Sequence, residues 1–135
     1  MIQLENIEKT YKTKKGSLTA VDNVSIKIKK GEIFGIVGYS GAGKSTLLRC
    51  INLLERPSKG KVIIDGVDMT SLSTKELRKA RQSIGMIFQG FHLASSKTAA
   101  ENIDFSLKVA GVPVEKRKER VKELLDLVGL ADKAD

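Results

Sequence analysis

Tryptophan is absent from the 135 residues, histidine and cysteine occur once each, and proline occurs twice. A single cysteine, Cys50, excludes an internal disulfide and fits a reducing compartment. The one histidine, His92, has no partner at ligand spacing, which argues against metal binding or general-base work. No apolar run approaches the length of a membrane-spanning helix. The N-terminus carries no basic segment followed by an apolar one, so the sequence reads as a cytoplasmic soluble chain. There is no internal repeat, no low-complexity segment and no linker, and the length suits one domain or part of one. Lysine and arginine (24) outnumber aspartate and glutamate (16), for a net charge of +8. These charges are interspersed along the chain, so they read as solvated faces, with anionic lipid or a nucleotide favoured over nucleic acid as partner.

What is present is a phosphate-binding pattern. Gly38, Tyr39, Ser40, Gly41, Ala42, Gly43, Lys44, Ser45 and Thr46 form G-x-x-x-x-G-K-S-T, directly after the apolar run of residues 33–37. Glycines let the backbone turn so that consecutive N–H groups converge on an anion. Lys44 adds a charge that can reach β- and γ-phosphates, and Ser45 offers a hydroxyl to Mg²⁺. The apolar-rich, helix-forming stretch that follows brings the positive end of its dipole to the same spot. The bland alternative is a glycine-rich turn without a ligand. The context, strand before and helix after, favours a nucleotide.

Around this loop the pattern predicts an α/β fold. Ile2 and Leu4, then Val24, Ile26 and Ile28, alternate with polar residues as in half-buried strands. Residues 33–37 and 84–88 are continuously apolar, as in strands buried on both faces. A helix is predicted over residues 45–54, stopped by Pro57. Asp65-Gly66 marks a hairpin after a strand at 61–64. Ser73 with Glu76, and Thr98 with Glu101, are capping boxes that open two helices. Pro113 suits the first turn of a last helix and Gly129 its C-cap. Two residues leave alternatives open. Tyr11, in a polar basic loop, is either an adenine platform with lysines near the phosphates or a tyrosine that merely packs. Gln89, at a strand end, either orients water and reaches Mg²⁺ or is a surface polar residue. Phe91 and Leu93, in an otherwise polar loop, hint at an apolar docking spot.

With those residues in place, the chain resembles the N-terminal part of the ATP-binding subunit of ABC transporters. Tyr11, the loop at 38–46, the Leu53-Leu54-Glu55-Arg56-Pro57-Ser58-x-Gly60 segment and Gln89 match in order and spacing. Residues 49–57 and 80–98 are similar to the ATPases of bacterial methionine importers in particular. The resemblance covers the whole chain and implies a partial P-loop, ABC-type nucleotide-binding domain. Its parts would be an N-terminal antiparallel β part, the start of a parallel-stranded core and helical segments.

That resemblance also implies roles. Tyr11 stacks on adenine, while Gly38, Ser40, Gly41, Ala42, Gly43, Lys44, Ser45 and Thr46 hold the phosphates of ATP. Ser45 and Gln89 reach Mg²⁺, and Lys44 and Gln89 serve the chemistry at the γ-phosphate. Residues 90–97 face a transmembrane permease subunit, a second ATPase subunit completes a dimer, and the complex sits at the cytoplasmic side of the bacterial membrane. The LSGGQ signature, the Walker B strand and the switch histidine of such ATPases do not occur among residues 1–135. The chain is therefore expected to be truncated before them, to bind nucleotide without hydrolysing it, and to leave a buried-type sheet edge uncovered. Two alternatives stand beside this: a non-transport ABC ATPase acting on nucleic acid or the ribosome, and a purely binding or structural module.

Overall fold

Alternation of Ile2 and Leu4 with Gln3 and Glu5 suits a sheet with one face buried, and that is how the chain begins. In the computed structural model, which describes residues 1–14 and 16–135, β1 (Ile2–Thr13) pairs antiparallel with β2 (Gly16–Ile28), Ile2 opposite Ile28 and Leu4 opposite Ile26. Lys15, part of the basic loop expected between these strands, lies outside the described residues. The loop itself is shorter than the sequence suggests, because Tyr11 is still in the ladder, opposite Leu18. β3 (Lys59–Ile64) pairs antiparallel with the other edge of β1, and a tight turn at Asp65 and Gly66, both with positive φ, leads to β4 (Val67–Asp68). The sheet order is β2-β1-β3-β4. Two asparagines with positive φ, Asn6 and Asn23, face each other across β1 and β2, and Asn6 Nδ2 donates to Asn23 Oδ1 at 2.9 Å.

Helix α1 (Lys44–Ile51) lies on this sheet, with Leu47, Cys50 and Ile51 on its buried face at the i, i+3, i+4 spacing of an amphipathic helix. They join Leu4, Ile7, Val21, Val62, Met69 and Leu77 in one core. The predicted stop at Pro57 is not what ends α1. Leu53 turns left-handed (φ +57°) and is buried, so the chain leaves the helix before Pro57. The Arg81 guanidinium, from α2 (Thr74–Arg81), donates to the carbonyls of Asn52 and Leu53 at that end. Cations are favourable there, where the helix dipole is negative.

Residues 33–37 and 84–88 do not form the predicted buried strands. Neither belongs to a ladder among the described residues, and Ile33, Val37 and Ile87 are almost fully exposed. A strand of this type is defined by neighbours on both sides, and no described segment supplies them.

The chain divides into two units, Met1–Gly85 and Met86–Asp135. In the second, α3 (Ala99–Val109) packs on α4 (Val114–Leu127), with Val121 and Leu125 buried and an Asp104–Arg117 ion pair at 3.5 Å. Pro113 is the N-cap of α4, one residue ahead of the first turn expected for it, and the C-cap is Val128, with Gly129 turning left-handed just beyond. A 3₁₀ turn at Ala131–Lys133 follows, and the Ala100 N–H donates to the Ala134 carbonyl at 2.9 Å.

Candidate nucleotide site

The phosphate-loop geometry rests on strand β2. Gly43 is the left-handed N-cap of α1 (φ +84°), and a Cβ there would stand 2.1 Å from the Ala20 carbonyl oxygen. Only glycine lets the loop lie this close to the sheet. Gly41 is also left-handed (φ +81°), and the Ala42 N–H donates to the Tyr39 carbonyl at 3.2 Å, so the loop folds on itself. Such alternation of backbone hands is what points successive amides at one anion.

Lys44 fixes the other side of the loop. Its Nζ donates to the Gly38 and Tyr39 carbonyls, both at 2.7 Å, so the ammonium is drawn over the loop rather than extended into solvent. The first turn of α1 contains no acidic residue, and no side chain caps its N-terminus. Its leading N–H groups and its dipole thus suit an anion, and the fit to a polyphosphate is good. Ser40 and Ser45 are exposed, and Thr46 is half-buried. The Ser45 hydroxyl, on the first turn, is a hard oxygen donor of the kind Mg²⁺ accepts.

Tyr11 is half-buried near the end of β1, with the Lys9 ammonium 4.9 Å from its ring centroid. Lys9 is held in turn by Glu55, at 3.0 Å, and by the Arg56 carbonyl, at 2.9 Å. The sequence reading placed lysines beside Tyr11 but gave no sign of Glu55, whose contact is long-range. Only the i, i+2 spacing of Lys9 and Tyr11 on one strand face could have signalled the first half of this cluster. Cys50, beneath the same region, is buried, and that burial raises its thiol pKa above the ordinary value, which makes it a structural thiol.

Gln89 belongs to the second unit and is exposed. It sits between Phe88 and a turn in which His92 Nδ1 meets the Gly90 carbonyl at 2.8 Å and the His92 ring lies 4.6 Å from Phe88. Ser45 lies in the first unit. Phe91 and Leu93 are largely exposed. A cavity of about 160 Å³ is lined by residues of β2 and of the loop, among them Ala20, Val21, Gly43 and Lys44, whereas hollows of about 620 and 560 Å³ lie in the second unit. Phosphate binding by backbone amides needs a presented surface, not a deep cavity, so the small volume does not count against the loop.

The family profile described as ABC transporter matches residues 21–135. The methionine import ATP-binding protein MetN 1 of Oceanobacillus iheyensis is 67% identical over 135 residues, all of this chain and 40% of that protein. The corresponding protein of Geobacillus kaustophilus is 59% identical over the same share of each. The chain thus spans about 40% of the length of the curated relatives it matches. Among solved structures, the ATP-binding cassette MJ0796, dimeric and bound to ADP and Pi in a post-hydrolysis state, superposes with a TM-score of 0.91 at 38% identity. That match covers 99% of this chain and 60% of the other. A second dimeric structure of the same cassette gives 0.92. The glycine-built loop against β2 and the sequence and fold relatives point the same way: this chain belongs to the ABC transporter family.

Proposed function

We propose that this chain supplies the ATP-holding part of an importer ATPase that couples nucleotide binding and hydrolysis to amino-acid uptake, with methionine as the transported solute. The observation that carries the nucleotide reading is the Lys44 ammonium bound across the Gly38 and Tyr39 carbonyls, at the mouth of an uncapped helix start. The methionine reading follows the names of the relatives, MetN proteins at 67% and 59% identity.

Each residue then has a task. The amides of the loop and of the first turn of α1 hold phosphate oxygens, and Lys44 stabilises charge that develops on them. Tyr11 stacks on the adenine ring. Ser45 and Gln89 would hold Mg²⁺, which would neutralise phosphate charge. Among the described residues no cluster of three His, Cys, Asp or Glu side chains could hold a metal by itself, so the ion would be bound together with the phosphates. Residues 90–97, with Phe91 and Leu93 exposed, meet a transmembrane permease subunit, and a second ATPase copy completes the dimer, as the dimeric cassette suggests. The protein works from the cytoplasmic face of the membrane; no helix among the described residues is long and apolar enough to cross it.

The interspersion of acidic with basic residues along the chain favours a nucleotide over nucleic acid, and some of them pair, as in Lys9–Glu55, Lys59–Glu8 and Arg120–Glu123. The test is thermal unfolding with Mg-ATP. At 100 times its Kd, ATP should add about 2.7 kcal/mol of stability, and Lys44→Ala should abolish most of that gain. An equal gain in both proteins would refute the assignment.

A further inference from the structure

We infer that Lys9 is a positioning residue for the base: it occupies one face of the Tyr11 ring and thereby makes Tyr11 a one-sided, fixed stacking platform. This rests on the proposed role of Tyr11 with adenine and adds a residue that the sequence pattern did not single out. Lys9 and Tyr11 are two apart on β1 and so point to the same face of the strand. The Lys9 side chain is only 14% exposed, an unusual setting for an ammonium, and it is satisfied there by three partners. Those partners are the Glu55 carboxylate at 3.0 Å, the Arg56 carbonyl at 2.9 Å and the Tyr11 ring at 4.9 Å.

The location of this cluster explains why it bears on nucleotide binding. Lys9 stands opposite Val21 and Tyr11 opposite Leu18 on β2, while Gly43, at the start of α1, lies against Ala20 and Val21 of the same strand. Glu55 and Arg56 follow the other end of α1. Lys9 therefore ties the ring to the exit of the helix whose entrance carries the phosphate loop, which fixes base platform and phosphate cradle in one frame. An aromatic ring has two faces; a cation held against one leaves the opposite face for a purine. Holding the ring before the base arrives also removes the ordering that binding would otherwise require.

The experiment separates base from phosphate. Affinities for Mg-ATP and for inorganic tripolyphosphate are measured by calorimetry on the wild-type chain, Lys9→Met, Lys9→Arg, Glu55→Gln and Tyr11→Ala. Lys9→Met keeps the apolar stem and removes the cation. It should weaken ATP roughly three- to tenfold, the ordering cost of one side chain that binding would then have to meet, and leave tripolyphosphate unchanged. Lys9→Arg should restore most of the loss, and Glu55→Gln should show a smaller loss of the same kind. Adding Lys9→Met to Tyr11→Ala should cost nothing further, since the two act as one unit. Equal loss for ATP and tripolyphosphate would make Lys9 a mere tie between β1 and the exit of α1 and overturn the inference. So would an ATP affinity of Lys9→Met equal to wild type while Tyr11→Ala is weakened. If Tyr11→Ala itself binds ATP normally, the adenine role of Tyr11 fails, and the Lys9 inference with it. Should Lys9→Met unfold, Glu55→Gln decides alone: no selective loss of ATP overturns the inference. The chain has two tyrosines and no tryptophan, so Tyr11 emission in a Tyr39→Phe background gives a nucleotide-free readout. An emission unchanged by Glu55→Gln would likewise count against a held ring.

Discussion

The Ala20 carbonyl oxygen stands 2.1 Å from the point where a Cβ on Gly43 would lie. Backbone hand and available space therefore demand glycine at the same residue. Gly43→Ala must strain φ and push the loop from β2, and a destabilisation of about 1–3 kcal/mol is expected. Chemical denaturation gives that number, and ATP binding should fall with it. Wild-type stability in the variant would mean that the loop does not rest on Ala20.

The stability of α3 should depend on its first residues. Thr98 accepts from the Glu101 N–H at 3.2 Å, and the Glu101 carboxylate accepts from the Thr98 N–H at 3.0 Å. Thr98→Ala removes the side-chain half of this box and should cost about 1 kcal/mol. Hydrogen exchange of the α3 amides checks it: faster exchange in α3, with β1 unaffected, is the expected pattern.

Acid should weaken the first unit through a named pair. The Thr70 hydroxyl donates to the Asp68 carboxylate, and the Thr70 N–H adds a second bond at 2.9 Å. The hydroxyl bond is the chief reason that Asp68 titrates below the ordinary carboxylate value of 3.8. A depressed folded pKa contributes stability above the unfolded value, and that contribution is lost as pH falls through the folded one. Thr70→Val should therefore be destabilised near neutral pH, and its difference from wild type should shrink as pH falls through the folded pKa of Asp68. Urea titrations over a series of pH values from neutral into acid give the comparison; a difference that grows in acid would contradict it.

Ile33, Val37 and Ile87 are 100%, 93% and 97% exposed. Apolar residues presented this way drive association. Sedimentation of the chain should show concentration-dependent self-association, reduced by Ile33→Lys or Ile87→Lys. Monomers at every concentration would contradict this.

What could be read ahead of the structure was local. The boxes at Ser73–Glu76 and Thr98–Glu101 formed because each is complete within four residues, and the Asp65-Gly66 turn because its two residues suit positive φ. The loop from Gly38 to Thr46 was legible for a related reason, since its shape is set by the backbone freedom of its own glycines. Nonlocal features were not. Residues 33–37 look like a buried strand, but strandhood depends on partners elsewhere in the chain. The end of α1 was misplaced because burial of Leu53 in the core, not Pro57, turns the chain. Glu55 beside Lys9 was invisible, since nothing near either residue announces the other.

Lys44 carries one further consequence. A free lysine side chain samples many rotamers, and fixing it can cost up to roughly 2 kcal/mol of entropy. Here two of its three ammonium hydrogens are engaged by the Gly38 and Tyr39 carbonyls within the protein itself. That loss of freedom belongs to folding and is not charged again when a phosphate arrives. The third hydrogen stays available to the newcomer, so recognition by Lys44 adds to an arrangement already set.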